Sequence, residues 1–359
     1  MDRERLATLF RRWSAVEAVA NQSPLYAVLG DVVAGDAKLL ALAAEAREGQ
    51  PPPNILFAAV HLLLAGRPGE PLAQYYRTLG GGREADAEAG SLFREFCLAH
   101  RDDLLPLIRT RLTQTNEVRR SALLLPAFAA IAGEAGKPLA LIEIGPSAGL
   151  NLNFDRYRYR YGALEVGPAV SPVVLGCEPR GPAPDVQIPA VASRCGVDIN
   201  PLDVCDEDDV AWLRALLWPE HTDRLALLDE AIEVARAHPP KLIPGDVFEL
   251  LPALVAGAED ESATCLFATF VLNQFSAEMR ARLRELLLEL SRGRQLWLVL
   301  IGSPGFVRPG SQLAGQEQVW LLRLRDGRGE YREVAVANPH GRWMEYRAGS
   351  AWAPWEDSE

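Results

Sequence analysis

Pro138 divides this chain of 359 residues into two kinds of pattern. Before it, apolar residues recur at helical spacing, as in "ERLATLFRRWSAVEAVA" and "DAKLLALAAEA". No stretch of that half alternates as a strand does. After Pro138, apolar runs of strand length alternate with helical segments. The runs are "LALIEI" (139–144), "SRCGVDI" (193–199), "KLIPGD" (241–246), "ATCLFATFVL" (263–272) and "QLWLVLIG" (295–302). Strand alternating with helix implies a parallel sheet covered on both faces. The end differs: "QVWLLRL", "DGRGE" and "YREVAVA" read as strand, turn and strand, an antiparallel hairpin. The expected fold is α/β, a mostly parallel sheet with an antiparallel C-terminal hairpin, preceded by an all-helical N-terminal domain. The helical domain is expected over 1–112 and the sheet domain over 113–359, with an insertion at about 150–192.

Composition narrows the function classes. The formal net charge is -11, a field that repels phosphate backbones, so no nucleic-acid partner is expected. The five cysteines are scattered without a CxxC pair, and the five histidines form no HExxH pair, so no metal site is expected. "MDRERLATLFRRW" reads as a charged amphipathic helix rather than a signal peptide, and no apolar run reaches membrane-spanning length. A cytoplasmic protein without a membrane partner is expected. In "PPPNILFAAVHLLLAG", Asn54 is expected to cap a helix that Gly66 stops, with His61 buried as a structural residue. In "DRYRYRYG" the period of two puts Arg156, Arg158 and Arg160 on one strand face and Tyr157, Tyr159 and Tyr161 on the other. A solvated arginine face is favoured there over an anion site.

The first strand run ends in "EIGPSAGLN". Gly145 and Gly149 permit a tight strand-to-helix turn and close approach of a ligand. Two chemistries compete for this turn. Gly145-Pro146-Ser147-Ala148-Gly149 satisfies G-x-S-x-G, a nucleophile elbow for which Asp246 and His340 are the available partners. That fold, however, places strands before its elbow, and here everything before it is helical. The other chemistry is a nucleoside-cofactor site at the carboxyl ends of parallel strands. It needs acids at the ends of the next strands, and Asp198 in "GVDINP" and Asp246 in "PGDVFELL" stand there. Either acid alone also makes a good helix cap or turn former.

"LIEIGPSAG", "GVDINP", "IPGDVFELL" and the terminal hairpin together resemble the successive motifs of class I S-adenosylmethionine-dependent methyltransferases, over about 138 onward. With "TQTNEVRR" and "SAGLNLNFDRYRY", nearly the whole chain resembles the bacterial domain of unknown function 2332 family. The first resemblance implies a Rossmann-like fold, S-adenosylmethionine as cofactor and a small-molecule substrate. It implies Glu143, Gly145, Ser147 and Gly149 at the methionine end, Asp198 on the ribose and Asp246 on the adenine amino group. Ser147 departs from that family's pattern, which carries a glycine there.

"TQTNEVRR" stands before a helix expected from about 116 to 133, joined by "GEAGKP" to the first strand. A helix on so short a turn runs back antiparallel to the strand, which brings its N-terminus beside the glycine turn. Thr113, Gln114, Thr115 and Asn116 are therefore candidates to bind substrate through neutral hydrogen bonds, and Arg111 and Arg120 to hold a carboxylate. Glu117 is a candidate base. In "FVLNQFS", Asn273 follows the fourth strand as a further catalytic candidate. A helix start with solvated neighbours is the structural alternative for each. Methyl transfer to a small molecule is thus the expected activity. A protein that binds or senses the cofactor without catalysis, and a serine hydrolase, are the alternatives.

Overall fold

The structure is a computed structural model that describes residues 2–302, 304–308 and 316–355. The mass divides into two compact units, Met1–Thr115 with Cys205–Leu228, and Asn116–Val204 with Asp229–Glu359. This differs from the linear division expected at 112/113, since 205–228 joins the first unit.

Among the described residues, the first unit is built from helices. These include Arg3–Trp13, Pro24–Gly35, Pro52–Ala65, Ala87–Ala99, Arg101–Thr110 and Glu207–Ala215. Most begin on a capping side chain: Asp2, Ser23, Asp86 and Asp206 each accept a backbone N–H of the first turn. Asn54 is not such a cap. Its helix starts at Pro52, because a proline in the first turn has no N–H to leave unpaired, and Gly66 ends it as expected. Phe10, Trp13, Tyr26, Phe57, Tyr76 and Trp218 are buried in this unit, with Trp13 stacked on Trp218 and Tyr26 on Phe57. His61 is a structural residue here. Its Nδ1 lies 3.2 Å and 3.1 Å from the carbonyls of Ala215 and Leu217, and its Nε2 2.9 Å from the Thr78 hydroxyl. Burial pushes its pKa down to about 4.

The second unit holds a large mixed sheet. Its main strands are β1 (Leu139–Ile144), β2 (Val191–Asp198), β3 (Lys241–Pro244), β4 (Ala263–Thr269), β5 (Leu296–Ile301), β6 (Glu317–Arg325), β7 (Arg328–Ala337) and β8 (Trp343–Tyr346). They lie in the order β3-β2-β1-β4-β5-β6-β7-β8, with Glu178–Pro179 beside β8 and Ala353–Pro354 beside β7. The first five are mutually parallel, and β6, β7 and β8 each pair antiparallel with the strand before. β1 and β5 are buried along their whole length, which is why they are continuous apolar runs. The β6–β7 hairpin turns through Asp326 and Gly327, both at positive φ, the backbone that a twisted two-residue hairpin requires. Chain order reverses at β1, whose neighbours are β2 on one side and β4 on the other.

The stretch 150–192 contributes a small sheet of Arg158–Tyr161, Leu164–Val166 and Val174–Gly176. Its two faces divide as the alternation requires. Arg158 and Arg160 pair with Glu165, the solvated arginine face. Tyr157, Tyr159 and Tyr161 are wholly buried. Their hydroxyls donate to the carbonyls of Leu150 (2.6 Å), Phe154 (2.5 Å) and Ala122 (2.7 Å). The tyrosine face thereby braces the chain that leaves the glycine turn.

Candidate functional site

The carboxyl ends of β1 and β2 are tied together by one side chain. β1 runs into a turn in which Gly145, Ser147 and Gly149 have φ of +70°, +55° and +70°. Asp198, the last residue of β2, accepts the Ser147 N–H on one carboxylate oxygen and the Asn200 N–H on the other, each at 2.9 Å. Burial holds its carboxyl above the usual range, and the two N–H bonds oppose that. Two more of the turn's N–H groups are taken: Gly145 donates to Val197, and Gly149 to Pro146. Its glycines are required by the positive φ and by neighbouring side chains. A Cβ at Gly145 would lie 2.5 Å from Val271, and one at Gly149 would lie 2.8 Å from Pro240. The expected helix after the turn is replaced by 3-10 turns over Leu150–Arg156.

Glu143 is the most unusual group at these strand ends. It lies in β1 between Gly196 of β2 and Phe267 of β4. It is 1% exposed, and its Oε2 has no hydrogen-bond partner among the described residues. Burial drives its carboxyl well above the ordinary carboxylate range. The negative charge of Asp198 adds to this, and Arg120 opposes it. Arg120 is itself buried. Its guanidinium stands 4.1 Å from the centre of the Phe270 ring and its Nε donates to the Pro339 carbonyl at 3.2 Å. It also opposes the upward push of burial on Glu317, at the start of β6.

The segment around "NEVRR" is the hub of this arrangement. Asn116 accepts the Leu150 N–H at 3.0 Å, joining the hub to the exit of the glycine turn. Ser121 donates to Asn151 at 2.8 Å beside it. Glu117, 5% exposed, accepts the Arg119 N–H at 3.3 Å, and its Oε2 lies 3.4 Å from His340 Nδ1. His340 belongs to a turn in which Asn338 accepts the His340 N–H at 3.0 Å. That turn sits flush on the hub. A Cβ at Gly341 would come within 2.5 Å of the Arg119 carbonyl. The helix expected from 116 begins only at Ser121, after a 3-10 turn over Val118–Arg120, because Glu117 serves as cap.

The second unit therefore brings together Asn116, Glu117, Arg120, Glu143, Gly145, Ser147, Gly149 and Asp198. The remaining candidates stand apart from that group in the described contacts. Asp246 is exposed at the end of β3 and caps the helix Val247–Ala256 through the Phe248 N–H. Asn273 is exposed in the turn after β4. Arg111, Thr113, Gln114 and Thr115 belong to the first unit. There Arg111 holds the carboxylate of Asp209 at 2.9 Å, and Gln50 accepts the Thr113 N–H at 2.7 Å. Sequence reasoning missed Phe270, Glu317 and the pairing of His340 with Glu117. Only the turn-forming "NPHG" carried a local signal.

Among the described residues, no group of three or more His, Cys, Asp or Glu is placed to hold a metal ion, and no helix is long and apolar enough to cross a membrane. A family model described as "uncharacterized protein conserved in bacteria (DUF2332)" matches residues 7–346, and the chain belongs to that family. No curated protein and no solved structure matches it.

Proposed function

We propose that this DUF2332 member is an S-adenosylmethionine-dependent methyltransferase acting on a small molecule, with the cofactor at the carboxyl ends of β1, β2 and β3. The sheet order supports a Rossmann-like domain. Ligands of such sheets lie where the strand order reverses, here at β1. One observation carries the proposal: Glu143, buried with an oxygen that has no partner among the described residues and a second acid, Asp198, near it. A buried acid with a second acid beside it calls for a ligand rich in positive charge and donors. An ammonium and ribose hydroxyls meet that need. Asp198 fits the ribose role, because it ends β2 and a carboxylate is an acceptor suited to hydroxyl donors.

The glycine turn narrows the choice further. Its N–H groups at Gly145, Ser147, Gly149 and Leu150 are all engaged within the protein. With these four engaged the turn offers few donors to a phosphate, which favours a cationic cofactor over a phosphorylated one. S-adenosylmethionine would supply an electrophilic methyl group on sulfonium. Glu143 would hold its ammonium, Asp198 its ribose and Asp246 its adenine amino group. His340, a quarter exposed and set against the buried Glu117 carboxylate, is suited to take the acceptor's proton. Calorimetric titration with S-adenosylmethionine, together with mass spectrometry of the purified protein for bound cofactor, tests the proposal. Absence of both binding and co-purifying cofactor overturns it, while binding without turnover on a metabolite panel favours a sensing protein.

A second reading rests on Ser147, whose φ of +55° is the strained backbone of a nucleophile elbow. A fluorophosphonate probe that labels Ser147 would favour a hydrolase. That reading has less support, since Asp246 heads a helix and His340 lies against Glu117.

A further inference from the structure

A cavity of about 620 Å³ lies at the other end of the sheet, where β5 begins and β6 ends. It is lined by Glu134, Gln295, Trp297, Arg323, Arg325 and Arg328 among others. Strand register explains why these side chains meet. Arg323 stands opposite Trp297 on one side and Glu330 on the other, and Arg325 stands opposite Arg328. Opposed residues share a face, as do residues two apart on one strand. Three guanidinium groups therefore converge on one face in a chain whose net charge is -11.

The charges within this group are not equally engaged. Arg323 pairs with Glu330 at 2.6 Å and with Glu134 at 3.4 Å, and Arg332 reaches Glu134 at 3.2 Å. The two guanidinium groups stand 4.6 Å and 4.7 Å from the Trp352 ring centre. Two arginines and two glutamates thus form a charge-balanced wall. Arg325 and Arg328 are left over. Among the described residues Arg325 has only Asp326, at 3.4 Å with both side chains more than 70% exposed. Arg328 has no acid partner among the described residues. Like charges directly opposed across a strand pair are unfavourable, and an anion between them reverses the sign of that interaction.

We propose that this cavity binds a small, doubly charged oxyanion, a phosphate or a phosphate monoester, between Arg325 and Arg328. Two open guanidinium groups match a dianion, whereas a single carboxylate neutralises only one. The planar fork of each arginine fits two phosphate oxygens, and Gln295 supplies a neutral amide at the wall. The site lies at the amino ends of the parallel strands and is independent of methyl transfer.

Inorganic phosphate and phenyl phosphate, titrated against the full chain by calorimetry at constant ionic strength, test this. Saturable binding is expected, absent with chloride, and weakened at least about tenfold in Arg325→Gln and in Arg328→Gln. Both side chains are exposed, and matching thermal unfolding of the variants confirms that the fold is intact. Arg328→Lys is expected to retain part of the affinity, since it keeps charge but loses the fork. Tighter binding of phenyl phosphate identifies a monoester ligand, and equal binding identifies free phosphate. No saturable binding, or affinity unchanged in both glutamine variants, overturns the proposal.

Discussion

Replacing Glu143 by glutamine is expected to move stability and ligand affinity in opposite directions. The carboxyl is 1% exposed, with one oxygen unpartnered among the described residues. Burial and Asp198 raise its folded-state pKa above the unfolded value. The native state therefore binds this proton more tightly than the unfolded state does. The charge destabilises the fold above the raised pKa, and that cost is relieved as pH falls toward the ordinary carboxylate range. Glutamine is neutral throughout. A buried amide lacking a partner costs about 1–3 kcal/mol, and an unpaired buried carboxylate several kcal/mol. At pH 8 the variant should gain roughly 1–3 kcal/mol, which raises Tm by a few degrees or more for a unit of this size. The gain should shrink as pH is lowered. Binding should suffer: a charge-assisted bond to an ammonium is worth about 1.5–3 kcal/mol, so affinity for S-adenosylmethionine should fall about 10- to 150-fold. Urea unfolding at pH 6 and pH 8, with calorimetry on the same samples, measures both. A variant that is less stable at pH 8 yet binds the cofactor normally would refute the reasoning, because Glu143 would then be a structural acid whose partner has been misjudged.

Three further outcomes are expected. Removing the cation that opposes the buried Glu143 charge, in Arg120→Leu, should cost about 3–5 kcal/mol. Adding Glu143→Gln should restore about 1 kcal/mol or more of it, and a double-mutant cycle showing strict additivity would disprove the coupling. Gly145→Ala meets both a φ of +70° and a contact 2.5 Å from Val271. A loss of about 2–4 kcal/mol follows, and unfolding midpoints within error of the parent would show that the turn relaxes freely. His61, whose folded pKa is about 4 against an unfolded value near 6.5, contributes stability that is full above pH 6.5 and is lost as pH falls toward 4. Its share of the first unit's stability should drop by about 2 kcal/mol between pH 8 and pH 5, and a slope that persists in His61→Gln would assign it to other groups.

The strands were legible because burial on both faces leaves a plain mark. "LALIEI" is β1 residue for residue, and "QLWLVLIG" exceeds β5 by one residue at each end. The acids near the ends of β2 and β3 were legible on another ground: these strands are only partly buried, but a run that stops at or just before an Asp marks a strand end. The fourth run was read too long. β4 stops at Thr269 because Phe270 turns to a φ of +67° and gives its N–H to Ile301. A phenylalanine carries no hint of that conformation.

Charge, periodicity and the glycine turn are local properties, so the amino-acid sequence alone determined the class of sheet, its hairpin and the first strand's exit. Contacts between distant segments are not local. Arg120 meets Pro339 across 219 positions, and the Glu117–His340 pair forms beside it. Both depend on the turn between β7 and β8 being carried back onto the hub by the order of the strands. The sheet order likewise decides that Glu143 is buried between β2 and β4 with an oxygen left over. The segment 205–228 reads like any other stretch between two strands, yet it folds with the first unit. His61, Asn21 and Thr78 there bond the backbone or side chains of 215–221, and such partners exist only once the chain is folded.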